Sequence, residues 1–303
     1  MYDLNELVPA TVIDDPDLPQ IKITVAGHNR GIHIVTFGNP SNPKLFILHG
    51  SFGDYRAFLP YQIQSNKYFV VMWDQRGSGL SERITKSEIT YESMIEEIDA
   101  IKAVYAPKEK INLFGHSFGA MYATYYCAKK PNNVNQVVLA EPGGLTGNNM
   151  KTGLDAGFKL IFFDEQLTHQ FWQNDLLSAK NYEELDYKTM MLLHGNTNQY
   201  HCDINNKMEW PIWRVGGFLE LNRVIYKNKT PIYDFTVGLE NFKNKVLILA
   251  SSCSFLGYDF QVAYHKNLFV HAEIIRFEDC RHLLTVEIFD EVLNELYNYF
   301  EEY

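Results

Sequence analysis

The stretch "LFGHSFGAMYA" (113–123) decides how the chain is read. Apolar residues run into Gly115-His116-Ser117-Phe118-Gly119, and small helix-forming residues follow at once. A strand that turns straight into a helix forces the residue at the bend into a strained backbone, which only small neighbours accommodate. Gly115 and Gly119 supply that room on either side of Ser117. The bend lifts the hydroxyl clear of the sheet, and the helix N-terminus beneath it favours developing negative charge. The pattern G-x-S-x-G in this setting predicts a nucleophile elbow carried by Ser117.

Outward from the elbow, short apolar runs end in turn signals. They are "KLFILHG" (44–50), "YFVVMWDQRG" (68–77), "KINLFGHS" (110–117), "VNQVVLAEPGG" (134–144), "KVLILASS" (245–252) and "AEIIRFED" (272–279). Such runs suit strands of a parallel sheet buried on both faces. Ahead of them, "IKITVAG" and "GIHIVTFG" read as a β-hairpin around "HNR". Helical patterns alternate with the strands. In "YESMIEEIDAIKAVYA" the residues Tyr91, Met94, Ile95, Ile98, Ile101 and Val104 recur at helical spacing. Near the end Ile288, Val292, Leu293, Leu296 and Phe300 share a face, with Thr285 as the expected N-cap. This alternation predicts an α/β architecture with a mostly parallel central sheet flanked by helices.

One insertion breaks the rhythm. From 145 to 237 no strand pattern recurs, and aromatic residues such as Phe158, Phe171, Trp172, Trp210, Trp213 and Phe218 are frequent. The expected organisation is a core of residues 1–144 and 238–303, with a helical cap of residues 145–237 over the C-terminal edge of the sheet.

Composition narrows the function classes. The formal net charge of −10 argues against a nucleic-acid partner, whose phosphates require a basic surface. No apolar run approaches the roughly 20 residues of a membrane span, so no membrane insertion is expected. The first residues lack the basic and apolar regions of a signal peptide. The chain as written is expected to be cytoplasmic; an exported form already trimmed of its signal would read the same way. The four cysteines lie far apart, without a disulfide framework or a zinc pattern. His194, His201, Cys202 and Asp203 read as loop residues rather than metal ligands. No organic cofactor and no metal is implied, and oligomeric state is not encoded legibly.

"WDQRGSGLSE" (73–82), "GHSFGAMYA" (115–123) and "LHGSFGDY" (48–55) carry a family likeness. The chain resembles the α/β-hydrolase superfamily and, within it, the proline iminopeptidase-like branch. "HGSFG" departs from the branch's usual His-Gly-Gly-Pro-Gly. The resemblance implies an α/β-hydrolase fold and an oxyanion hole built from the backbone N–H groups of Phe118 and Ser51. His49 and Gly50 are expected to shape that turn without proton chemistry. Arg76 is expected to brace neighbouring loops through an ion pair rather than to bind substrate.

A serine nucleophile needs a general base. Among ten histidines, His282 alone follows the last strand and precedes the final helix, where the superfamily keeps its base, although Arg281 stands where a glycine is usual. His116 is expected to point into packing, and His271 sits at the wrong end of the sheet. The acid is less direct. The familiar Gly-x-x-Asp after the penultimate strand lands here on Ser251 and Ser254. Asp259, expected inside the next helix, is one candidate. Glu141, at the end of "VVLAE", is the favoured one, because haloalkane dehalogenases and certain lipases carry their acid there.

The resemblance implies hydrolysis through an acyl-enzyme on Ser117, with small peptides, amides or esters as substrates. Recognition of a free ammonium would draw on cap carboxylates such as Glu183, Glu184, Asp203, Glu209 and Glu220. A carboxylesterase for small apolar esters is the alternative, and a ligand-binding protein with little turnover is a third reading.

Overall fold

The computed structural model describes residues 10–50, 54–160 and 232–301. Its chain order begins with β1 (Gln20–Val25), β2 (His28–Phe37), β3 (Lys44–Leu48), a 3-10 helix (Tyr55–Asn66) and β4 (Phe69–Trp73). There follow α1 (Tyr91–Tyr105), β5 (Ile111–His116), α2 (Phe118–Lys129), β6 (Val134–Ala140) and α3 (Gly147–Leu160). The last part holds β7 (Val246–Ser251), α4 (Tyr258–Tyr264), β8 (Ala272–Phe277), α5 (Leu284–Glu287) and α6 (Phe289–Glu301).

The eight strands form one sheet in the order β1-β2-β4-β3-β5-β6-β7-β8. β1, β2 and β4 pair antiparallel, and every pair from β4 through β8 is parallel. The apolar runs explain the layering. Side chains alternate across a strand, so Phe46 and Leu48 of β3 pack with α1 and α2, while Leu45 and Ile47 join the opposite cluster with Tyr61, Val292 and Leu296. β4 repeats this division, with Val71 and Trp73 on one face and Val70 and Met72 on the other. Both faces are covered, as a parallel sheet requires.

Two details differ from the sequence reading. The hairpin turns at Ala26 and Gly27, both with positive φ (50° and 80°), so "HNR" lies inside β2. Positive φ at both central residues gives a two-residue turn whose twist matches the strands it joins. The C-terminal helix does not run unbroken from Thr285. It divides at Ile288 (φ −124°, ψ 50°), and Leu283, not Thr285, caps α5. The Thr285 carbonyl instead accepts a 2.7 Å hydrogen bond from the Tyr61 hydroxyl, which replaces the helical bond it would otherwise receive. The expected apolar face survives: Val292, Leu293, Leu296 and Phe300 are all buried in the core.

Most of the expected cap, residues 161–231, lies outside the described residues. The two ends of that insertion run side by side. Thr146 and Asp234 form an antiparallel bridge, the amide of Phe235 donates to Leu145 and that of Gly147 donates to Tyr233. Phe235 is buried against Tyr125 in the core. No helix of the described residues is long and apolar enough to cross a membrane.

Candidate active site

Parallel strands deliver their C-terminal ends to a single edge of the sheet, where α/β folds bind ligands. Ser117 directly follows β5, Glu141 directly follows β6, and His282 follows β8 by a short turn. Ser117 has φ 54° and ψ −116°, a conformation that costs a non-glycine residue of order 1–3 kcal/mol. The surrounding chain holds it there. The Ser117 amide donates to Ala140 at the end of β6 (2.9 Å), and its carbonyl accepts the Met121 amide of α2. The flanking glycines leave no alternative. A Cβ on Gly115 would sit 2.6 Å from Gly119, and one on Gly119 would sit 2.2 Å from the Leu48 carbonyl oxygen. The strand-to-helix bend expected over 113–123 is present, with Ser117 at its strained position.

His282 lies over it. Its Nε2 is 2.9 Å from Ser117 Oγ, and its Nδ1 is 2.7 Å from Glu141 Oε2. A carboxylate only accepts, so Nδ1 carries the proton and Nε2 is left to accept from the serine hydroxyl. Glu141 is fully buried, and its other oxygen, Oε1, accepts from both the amide (2.7 Å) and the hydroxyl of Ser251. Three donors thus surround a carboxylate withdrawn from water, which is what makes a buried charge tolerable. Glu141 itself adopts φ 42°, with its amide donating to Leu249 of β7. The other acid candidate, Asp259, is exposed in the first turn of α4 and is not brought to the imidazole.

The surrounding residues fall into place around this relay. Arg281 brackets the histidine turn through Glu287 of α5 at 2.8 Å. His116 points inward, as expected, but not into inert packing: its Nε2 is 2.6 Å from the His282 carbonyl oxygen. Burial, reinforced by the nearby His282, pushes the His116 imidazole down to about 3 and so keeps it neutral. Arg76 pairs with Glu97 of α1 at 2.8 Å, both fully enclosed.

Ser51 lies outside the described residues, whereas both flanks of its turn are held by β4's continuation. The amide of Gln75 donates to His49 Nε2 (3.2 Å), and the amide of Tyr55 donates to Asp74 Oδ1 (3.0 Å). His49 Nδ1 donates to the Gly50 carbonyl, so both ring nitrogens are committed to the turn. Gly50 packs directly on the elbow, where a Cβ would come within 3.0 Å of His116 and 3.4 Å of Ser117. Phe118 is the first residue of α2, the position whose amide is directed out of the helix N-terminus. Ser251, where the familiar motif lands, and the His116–His282 contact gain their roles only in the folded chain. A polar residue at the last position of a buried strand is the signal that marks Ser251.

Residues 43–285 match the family model described as alpha/beta hydrolase fold. The chain belongs to the alpha/beta hydrolase fold family. This alpha/beta hydrolase is 22% identical over 280 residues to the proline iminopeptidase PfmaB of Pestalotiopsis fici, an alignment covering 88% of this chain and 94% of that one. Among solved structures it is similar to the proline iminopeptidase of Mycobacterium smegmatis, with a TM-score of 0.66, 12% identity, and coverage of 93% and 98% of the two chains. The esterase RhEst1 from Rhodococcus sp. ECU1013 superposes with a TM-score of 0.64 at 14% identity, again over 93% of this chain and 98% of that one. These structural likenesses show the same fold.

Proposed function

We propose that the protein is a serine hydrolase of the proline iminopeptidase-like kind, acting on small peptides, amides or esters through an acyl-enzyme on Ser117. The observation that carries this reading is the continuous relay from Ser117 Oγ through the two nitrogens of His282 to Glu141. His282 Nε2 takes the hydroxyl proton as Ser117 Oγ attacks the substrate carbonyl carbon. Glu141 holds the imidazole in the required tautomer and stabilises the imidazolium that forms. The tetrahedral oxyanion is received by the amides of Phe118 and Ser51, each such donor contributing about 2.7–4 kcal/mol to the transition state. Collapse breaks the bond to the leaving amine or alcohol, which takes the proton from His282. Water then repeats the cycle on the acyl-enzyme.

The relatedness to a protein named proline iminopeptidase supports an N-terminal prolyl substrate. The test is a panel of prolyl p-nitroanilide, its N-acetylated counterpart and short-chain p-nitrophenyl esters, run on wild type and Ser117→Ala. Turnover of the free-amine prolyl substrate, sharply reduced by acetylation and abolished in Ser117→Ala, is the expected result. Preference for the esters with indifference to the amine would make the enzyme a carboxylesterase. Equal turnover by wild type and Ser117→Ala would overturn the assignment.

A further inference from the structure

Ser251 occupies the last position of β7 and is fully buried. Its amide and its hydroxyl both donate to one atom, Glu141 Oε1, while Oε2 of the same carboxylate accepts from His282. We propose that Ser251 is a positioning residue, fixing the Glu141 carboxylate so that a single oxygen faces His282. This rests on the reading of Glu141 as the acid of the relay.

A glutamate has one more rotatable bond than an aspartate, and its terminal torsion is broad rather than staggered. Left with one partner, the carboxylate would swing, and the imidazole it orients would swing with it. Two donors converging on Oε1 remove that freedom from the side opposite His282. The amide alone would mark a direction; the hydroxyl, on a different vector, adds the second constraint. Both hydrogen bonds are charge-assisted and fully buried, where such bonds are strongest. Ser251 touches neither Ser117 nor the imidazole by any hydrogen bond among the described residues, so its influence passes through Glu141.

The other ionisable groups around the carboxylate do not substitute for it. Burial, with Glu141 and Glu287 adding to it, pushes the Cys280 thiol up to about 12, so it stays neutral. Glu287 is itself raised by burial and is committed to Arg281. His116 is neutral and committed to the His282 carbonyl. The hydroxyl of Ser251 is therefore the side-chain donor dedicated to Oε1 among the described residues.

The experiment compares Ser251→Ala and Ser251→Thr, each alone and in a Glu141→Gln background, by steady-state kinetics on the best substrate of the panel. Circular dichroism and urea unfolding establish that each variant is folded; Ser251→Cys, a weaker donor of similar volume, replaces the alanine variant if that one is not. Ser251→Ala should lower kcat by about 10–100-fold, the kinetic equivalent of one hydrogen bond to a charged group, with KM little changed. Ser251→Thr, which keeps the hydroxyl, should recover most of kcat. In the Glu141→Gln background the alanine substitution should cost little more, because a residue that acts through Glu141 has nothing left to act on. An inactive Glu141→Gln beside a fully active Ser251→Ala would overturn the positioning role alone. The same factor lost in both backgrounds would also overturn it, by placing the effect of Ser251 elsewhere. Near-normal turnover in Glu141→Gln would remove the underlying assignment of the acid.

Discussion

His116 Nε2 donates a 2.6 Å hydrogen bond to the carbonyl oxygen of His282, and the two imidazole rings lie 4.9 Å apart. The residue before Ser117 thus holds the main chain of His282. A carbonyl only accepts, so the proton of this second histidine is fixed on Nε2. His116→Phe keeps a ring but removes the donor, and should lower kcat by about 10-fold, as for one neutral hydrogen bond. His116→Gln, whose amide reaches similarly far, should recover part of that loss. Full kcat in the phenylalanine variant would show that the contact does not register the two loops.

The same burial predicts how stability depends on pH. His116 and His265 are both pushed down to about 3, burial being the leading cause at each, whereas an unfolded histidine titrates near 6.5. Between those values the unfolded chain binds more protons than the folded one. Stability should therefore be fully present above about pH 6.5 and fall as pH drops toward 3, each histidine contributing up to about 1.4 kcal/mol per pH unit. Urea unfolding at pH 7, 6, 5 and 4 measures the slope. His265→Gln, which keeps a donor toward Gln261, should flatten it; an unchanged slope would show that His265 is not buried in its neutral form.

The proposed acid role of Glu141 is tested by two amide substitutions. Glu141→Gln keeps the shape, loses the charge and favours the wrong imidazole tautomer, a change that costs roughly 10⁴ in kcat in a serine protease. A loss of at least about 10²-fold is expected here. Asp259→Asn, on an exposed turn of α4, should leave kcat within about twofold. Large loss in the second variant and none in the first would reverse the choice.

Arg76 and Glu97 form an ion pair with side chains 1% exposed on both sides, and Glu97 also accepts from the Trp73 indole. Removing one charge leaves the other buried and alone. Glu97→Gln should destabilise the fold by about 3–5 kcal/mol, read by urea unfolding, while kcat/KM per folded molecule changes little. Unchanged stability with a large rise in KM would place Arg76 at the substrate instead.

Gln64 is fully buried, and neither its amide nitrogen nor its oxygen finds a hydrogen-bond partner among the described residues. Its main-chain carbonyl, which accepts from Lys67 and Tyr68, does not depend on the side chain. Gln64→Met, of similar volume, should stabilise the protein by about 1–2 kcal/mol by relieving an uncompensated desolvation. A lower urea midpoint would contradict this.

Much of this architecture was legible in the sequence because it depends on neighbours in the chain. The elbow is a local device: two glycines flank Ser117, and a strand and a helix flank the glycines. The strands were readable as apolar runs because a sheet covered on both faces leaves few polar positions to hide them. The position of His282, after the last strand and before the final helix, followed from element order. The local signals failed where distant residues intervened. Thr285 looked like a helix cap until Tyr61, 224 residues earlier, took its carbonyl.

For the acid, the sequence favours Glu141 over Asp259 but does not show which of them reaches His282. The order of the sheet brings Glu141, and not Asp259, to the imidazole, by setting the end of β6 beside the end of β7. That adjacency places Glu141 against Ser251, 110 residues away, and turns its free oxygen toward His282, 141 residues away. Local sequence encodes which backbone each segment prefers. Which polar groups then satisfy one another is set by strand pairing and by the cost of leaving a buried charge or donor unmatched, and those operate only once the chain has closed on itself.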